Sequence, residues 1–187
     1  MDKTRYILAI DLGTSGPKVG LVSADGAVIA HEFEATPVIL LPAGGAEQDP
    51  DGWWTAITRA SQRLMARQLA PPEAIAAVCC TSQWSGTVPI DRDGQALHRA
   101  IIWMDARGAP YVDDIVGGPL RVQGYAPHKL LTWIRLTGGV PTRSGKDPIA
   151  HILYLKPARP DIYHAADKFL EPKDYLNLRL TGQVASA

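Results

Sequence analysis

The chain has 187 residues, of which 46% are hydrophobic, enough to form the core of one domain. Lys and Arg together number 19, as do Asp and Glu, so the formal net charge is zero. This balance argues against nucleic acid or an anionic membrane surface as a partner. The N-terminus lacks a signal-peptide pattern, and no apolar run is long enough to span a bilayer. We therefore expect a soluble, cytoplasmic protein.

The first third of the chain predicts a three-stranded antiparallel meander. Residues 5–11, 17–23 and 26–34 read as strands, and the last two are joined by "SADG", from Ser23 to Gly26. An Asp-Gly pair between apolar runs is a strong hairpin signal. The meander therefore begins the predicted fold.

A long helix is predicted to follow the meander. Asp49 suits the N-cap, Pro50 the first helical position, and Asp51 the positive end of the helix. The helix should run to about Gln68. Its predicted apolar face consists of Ile57, Ala60, Ser61, Leu64 and Leu69.

The central part of the chain predicts further strands. Residues 74–81 and 86–91 read as strands, and "RAIIWMDARG" reads as a short strand that ends at Asp105. The first of these runs carries the only two cysteines, Cys79 and Cys80. We interpret them as small core residues of a buried strand in a reducing compartment.

Three helices are predicted in the last third. "HKLLTWIRLTGG" should stop at Gly138, "KDPIAHILYLK" should be capped by Asp147, and "EPKDYLNLRLTG" should begin near Pro172 and end before Gly182. In the last helix we expect Lys173 and Asp174 to be structural, and the buried face to consist of Tyr175, Leu176 and Leu180. This order of strands and helices predicts an α/β fold with a mixed sheet.

The turn within "ILAIDLGTSGPKVGLV" contains an acid, two hydroxyl side chains and a lysine, which a simple hairpin does not need. Backbone N–H groups of a glycine-rich turn can bind an anion, and Gly13 and Gly16 would let a phosphate approach. An acid, Asp11, beside a phosphate makes sense when a divalent cation lies between them. The alternative is a structural hairpin whose acid is merely solvated.

Four segments together resemble the FGGY carbohydrate kinases. "IDLGTSGPKVGLVSADGAVIA" is similar to the first phosphate loop of the sugar kinase, actin and chaperone ATPase superfamily, and "AEQDPDGWW" resembles the FGGY stretch before the first long helix. "TSQWSGTVPIDRDGQALHRAIIWMDARG" looks like the sugar-pocket segment, and "KFLEPKDYLNLRLTG" resembles a Leu-Pro-Lys-Asp-Tyr-Leu helix. The segments occur in the family's order and cover most of the chain.

The resemblance implies a ribonuclease-H-like α/β lobe of the actin/hexokinase superfamily. In such kinases two lobes hold ATP and a sugar between them, and the N-terminal lobe supplies most sugar contacts. We expect residues 1–187 to be this N-terminal domain, incomplete, with the C-terminal ATP-binding domain and the general base beyond residue 187. The isolated chain should then be an inactive part of an enzyme that transfers the γ-phosphoryl group of ATP to a sugar or polyol. The sequence leaves the oligomeric state open, a homodimer included.

The resemblance also implies roles for the phosphate-loop residues. Asp11 would hold Mg²⁺, and Lys18 would join it in catalysis beside the transferring phosphate. The ATP phosphates would lie against Gly13, Thr14, Ser15 and Gly16.

The sugar-reading turn would consist of Gln83, Trp84 and Ser85. Xylulokinases carry Met-His and glycerol kinases Arg-Glu where this chain has Trp84-Ser85. The resemblance therefore assigns neither family's substrate to this chain. Trp84 could stack on a sugar or plug the surface of the lobe. Of the Trp-x-Asp-x-Arg motif, Asp105 is predicted to accept a sugar hydroxyl and Trp103 to be pocket wall or core, whereas Arg107 would pair with a nearby acid.

Several alternatives stay open in the sequence. The family's Lys-x-x-Trp stretch aligns with either His151 and Tyr154 or Lys129 and Trp133, so residues 108–150 have no clear assignment. An actin-like or chaperone ATPase lobe would share the turn but would not need "SQWSG" or "WMDARG". A non-catalytic sugar-binding module is a third hypothesis.

Overall fold

The computed structural model describes residues 5–185. The chain divides into two units. The first contains the chain up to Val38, Gln48–Trp84 and the chain from Pro172 onward; the second contains Ile39–Glu47 and Ser85–Glu171. The division was not predicted, because no linker-like composition marks it.

The strands and helices follow in chain order. The strands are β1 (Tyr6–Gly13), β2 (Gly16–Ser23), β3 (Val28–Phe33), β4 (Ile39–Leu41), β5 (Gly45–Gln48), β6 (Ile75–Ser82), β7 (Val88–Ile90), β8 (Ala100–Ile101) and β9 (Lys168–Leu170). The helices are α1 (Pro50–Ala66), α2 (Ala109–Val116), α3 (Pro127–Thr137), α4 (Pro148–Ala158), α5 (Pro160–Ala165) and α6 (Pro172–Thr181). None of the helices among residues 5–185 is long and apolar enough to cross a membrane.

The first unit is built on a four-stranded mixed sheet in the order β3-β2-β1-β6. β1 pairs antiparallel with β2, and β2 pairs antiparallel with β3, so the predicted meander is confirmed. β6 lies parallel to β1. Parallel neighbours need a crossover connection, and α1 lies within the one that joins these two strands.

Helix α1 covers one face of this sheet. Its N-terminus is as predicted, since the Asp49 carboxylate accepts a hydrogen bond from the Asp51 N–H at 3.1 Å and Pro50 opens the helix. The helix ends at Ala66, so Leu69 lies beyond it, 41% exposed, and its predicted place on the apolar face is wrong. The buried side chains of the helix are Pro50, Trp53, Ala56, Ile57, Ala60 and Leu64.

Strand β6 is largely exposed, so the prediction of a buried strand is wrong. Cys79 is exposed, and the neighbouring Val78 is 45% exposed. Cys80 is half-buried, and its thiol donates to Asn177 Oδ1 at 3.1 Å. The apolar run indicated a strand correctly, but α6 covers only part of it. Cys79 is therefore not a core residue.

Helix α6 has the predicted ends, with Pro172 in its first turn and Gly182, at φ 71°, directly after it. Tyr175 and Leu176 are buried as predicted. Asp174 is buried too, which was not predicted. Leu180 is 37% exposed, and Leu178 is buried in its place. The predicted helix was right, but one residue of its face was misplaced.

The second unit contains short strands and helices. β4, β5 and β8 form a three-stranded sheet, and β7 pairs antiparallel with β9. The strand predicted over 86–91 is therefore only the three residues of β7. Helices α2 and α4 bury Val112, Val116 and Ala150 together, and Trp133 of α3 packs against them. α3 ends at Gly138 in the left-handed conformation, as predicted.

Candidate functional site

The tip of the β1–β2 hairpin brings the predicted phosphate-loop residues together. Asp11 lies opposite Lys18 and Gly13 opposite Gly16, which leaves Thr14 and Ser15 as a two-residue turn. The Asp11, Ser15 and Lys18 side chains are exposed, whereas Thr14 is half-buried. Because directly paired residues of a sheet share a face, Asp11 and Lys18 project on the same side. They line an open groove of about 340 Å³ on that face, together with His31 and Cys79.

Gly16 has a structural reason to be glycine. Its φ is +137°, and a Cβ atom there would lie 2.0 Å from the carbonyl oxygen of Glu34. The passing segment is hydrogen-bonded to the tip, because Glu34 N–H donates to Pro17 O at 3.2 Å and Thr36 N–H to Ser15 O at 3.0 Å. Gly13 is less crowded, since its nearest neighbour would be Gly16 O at 3.5 Å.

The hairpin tip suits a cation held partly by phosphate. Among residues 5–185, no cluster of three or more His, Cys, Asp or Glu side chains could form a metal cage. Magnesium bound with a nucleotide needs only one or two protein carboxylates, since waters and phosphate oxygens complete its shell. The exposed Asp11 carboxylate beside a glycine-rich turn fits that requirement.

The turn after β6 begins with a buried amide. Gln83 is 9% exposed; its Oε1 accepts from Thr14 Oγ1 at 3.2 Å, and its Nε2 donates to Gln48 Oε1 at 2.7 Å. Trp84, by contrast, is 71% exposed, so it does not plug the surface. The direct sugar contacts assigned to both residues stay predictions.

Ser85 belongs to the second unit and is fully buried. Its hydroxyl donates to the carbonyl oxygen of Lys146 at 2.8 Å, and its φ is 58°. Left-handed backbone at a non-glycine residue is uncommon and costs free energy, so the surrounding structure must hold it. The hydroxyl predicted to bind sugar is engaged within the protein.

Asp105 and Arg107 form a buried ion cluster in the second unit. The Asp105 carboxylate accepts from the N–H of Ala46 at 2.8 Å and from Arg107 Nη2 at 2.7 Å. Arg107 also donates to Glu47 Oε1 at 2.7 Å, and its guanidinium lies 4.5 Å from the centre of the Tyr154 ring. Arg107 thus has the acidic partners predicted for it, whereas the role of Asp105 as a sugar acceptor stays a prediction.

The charge state of Arg107 follows from this cluster. Burial acts to lower the pKa of the guanidinium, but the hydrogen bonds to Asp105 and Glu47 outweigh it and raise the pKa above its ordinary value. Arg107 therefore remains a permanent cation that holds two carboxylates. Trp103, two residues before Asp105, is 40% exposed and is not a core residue.

A scan against protein-family models decides the family. The model of the FGGY family of carbohydrate kinases, N-terminal domain, matches residues 6–187. The chain belongs to the FGGY family. It spans about a third of the length of the curated relatives that it matches.

Individual FGGY relatives agree with this assignment. The xylulose kinase of Escherichia coli (strain K12) is 32% identical over 96% of this chain and 34% of its own length. The glycerol kinase of Nitrobacter hamburgensis is 32% identical over 65% of this chain and 24% of its own length. A ligand-bound xylulose kinase structure from Lactobacillus acidophilus superposes with a TM-score of 0.79 at 26% identity, over 96% of this chain and 34% of that one. The likeness confirms the predicted sugar-kinase fold.

Two buried polar residues of the structure were not predicted from the sequence. Gln48 and Glu47 lie in the "AEQDPDGWW" segment, which matched the family but suggested no role for either. Glu47 binds Arg107, and Gln48 binds Gln83. The available signal was the polar pair itself, placed directly before the start of a helix.

Proposed function

We propose that this chain is the sugar-binding lobe of an ATP-dependent carbohydrate kinase. The whole protein would transfer the γ-phosphoryl group of ATP to a hydroxyl of a sugar or polyol, and a second lobe would supply the adenosine pocket and the general base. The observation that carries the proposal is the hairpin tip, where an exposed Asp11 faces Lys18 beside a glycine turn in an FGGY domain. A cytoplasmic location is part of the proposal.

The residues of the tip would act by position and charge. Mg²⁺, when bound, would neutralise the phosphate oxygens, and Asp11 would hold it directly or through water. Lys18 would place a positive charge near the transferring phosphoryl group. The N–H groups of Thr14 and Ser15 would donate to phosphate oxygens, and Gly13 leaves room for their approach.

A ketose is the first substrate class to test. Relatives named xylulose kinase match 94–96% of the chain, whereas the glycerol kinases match 65% and 56%. Trp84-Ser85 differs from the xylulokinase pattern, so we propose the class of ketoses and not one particular sugar. The exposed Trp84 ring could stack on the C–H face of such a sugar.

The test is an ATP-consumption assay of the whole protein against a panel of ketoses and polyols. We expect turnover on one ketose, and Asp11→Asn should lower kcat at least about 100-fold with no change in thermal unfolding, because the side chain is exposed. Asp114→Asn, which removes an exposed charge from α2, should change neither. ATP hydrolysis that is indifferent to every sugar would overturn the proposal in favour of an actin-like ATPase.

A further inference from the structure

Three residues of the first unit, Thr14, Gln48 and Gln83, form a hydrogen-bonded ring. The Gln48 Nε2 donates to the carbonyl oxygen of Thr14 at 2.9 Å, and the Gln48 Oε1 accepts from Gln83 Nε2 at 2.7 Å. Thr14 Oγ1 donates to Gln83 Oε1 at 3.2 Å and completes the ring. Gln48 is fully buried. A buried polar network with its partners in place holds its members in one arrangement.

The ring contributes to the orientation of one peptide of the hairpin tip, because Gln48 binds the Thr14 carbonyl. Across a trans peptide bond the carbonyl and the following N–H point in opposite directions, and no cis bond occurs in the described chain. Because the Thr14 carbonyl points at Gln48, the N–H of Ser15 points away from the buried amides. Ser15 is an exposed residue of the tip, so this N–H would face a phosphate bound there.

The same ring holds the start of the proposed sugar-reading turn. Gln83 also donates its backbone N–H to the Leu12 carbonyl at 2.7 Å, and its side-chain Oε1 accepts from Thr14 Oγ1. Its main chain and its side chain are therefore both bound to the β1–β2 hairpin. A shift of Gln48 would therefore be transmitted to Thr14 and to Gln83 together.

We propose that Gln48 is a positioning residue that couples the phosphate-binding tip to the sugar-reading turn, and that Gln83 serves the same ring and does not bind the sugar directly. The inference rests on the proposed kinase function. Phosphoryl transfer depends on placement of the two reactants, and a displacement of about 1 Å can cost about 100-fold in rate. Gln48 would thus affect the rate without touching either substrate.

The test compares Gln48→Met, Gln83→Met and the double variant in the whole protein, with the ketose that the wild type turns over. Methionine keeps the length of glutamine but cannot make the ring. We expect each single variant to lower kcat about 10- to 100-fold while the KM values for ATP and sugar change less than about threefold. The double variant should be no worse than either single one, because both break the same ring.

A destabilised control separates positioning from loss of fold. Leu64→Ala leaves a cavity under α1, where Leu64 is 1% exposed, and should lower the unfolding temperature but leave kcat unchanged at a temperature where the variant is folded. Equal losses of kcat in Leu64→Ala and Gln48→Met would overturn the proposal, as would wild-type kcat in Gln48→Met.

Two further outcomes distinguish the competing roles. A raised sugar KM in Gln83→Met alone, or independent effects that multiply in the double variant, would make Gln83 a direct sugar ligand and refute the ring. No turnover by the wild type on any sugar would instead refute the proposed kinase function, and the inference would fall with it. If the wild type turns over a sugar and Gln48→Met has the wild-type kcat, the inference is refuted but the proposed kinase function is not.

Discussion

His151 is a buried imidazole whose protonation should oppose folding. It is fully buried, its Nδ1 lies 3.0 Å from Thr87 Oγ1, and burial lowers its pKa from 6.5 to about 4, although Asp105 and Asp147 partly offset this. Between these two values the unfolded chain binds more protons than the folded one, so stability falls as the pH drops through this window. Above pH 6.5 the contribution is fully present.

Protonation of His151 should lower the free energy of unfolding by up to about 3 kcal/mol as the pH falls from 6.5 to about 4. The figure follows because one pKa unit corresponds to about 1.4 kcal/mol. Urea unfolding at a series of pH values measures it. His151→Asn, which can keep the Thr87 bond, should flatten this pH dependence, and His164→Asn at an exposed position should leave it unchanged. Parallel pH profiles for wild type and His151→Asn would contradict the prediction.

At the residue scale, the sequence predicted which residues lie together in one local turn better than it predicted contacts between distant segments. Asp11 and Lys18 could be grouped because a hairpin turn separates them by only a few residues. The partners of Gln83 and Arg107 could not, because Gln48 is 35 residues from Gln83 and Glu47 is 60 residues from Arg107. Such pairs arise from tertiary packing, which a local pattern does not contain.

At the scale of the element, the β1–β2 hairpin depends on Gly16. An alanine there would combine a φ of +137° with a Cβ atom 2.0 Å from the backbone oxygen of Glu34, and a backbone neighbour cannot move aside as a side chain does. We expect Gly16→Ala to cost at least about 2 kcal/mol in denaturant unfolding.

Gly20 in the same strand provides the matched control. A Cβ atom at Gly20 would meet its nearest neighbour at 3.8 Å, an ordinary contact, so Gly20→Ala should change the unfolding free energy by less than about 1 kcal/mol. Equal effects of the two alanines would show that the Glu34 contact does not constrain the tip.

Three helix ends were predictable because they depend on local chemistry. The Asp49-Pro50 helix start, Gly138 after α3 and Gly182 after α6 each satisfy a backbone requirement within a few residues. The exposure of β6 was not predictable, because the burial of a strand depends on what packs against it. An apolar run therefore indicated the strand correctly and its environment wrongly.

At the scale of the whole molecule, β6 leaves an open sheet edge. It is the last strand in the order β3-β2-β1-β6, it is eight residues long, and among residues 5–185 it pairs only with β1. Val78 near its middle is 45% exposed. A long apolar edge strand presents unpaired backbone groups and favours pairing with another chain.

We therefore expect the 187-residue chain to self-associate through β6 as its concentration rises, measured by sedimentation velocity under reducing conditions so that Cys79 cannot form a disulfide. Val78→Lys should weaken the association, because a charge on an edge strand opposes strand pairing. Leu131→Lys, on the exposed side of α3 at 68% exposure, adds the same charge without an open edge and should leave the association intact. Loss of association in Leu131→Lys but not in Val78→Lys would place the contact on the helical surface, and the sheet edge would then play no part in it.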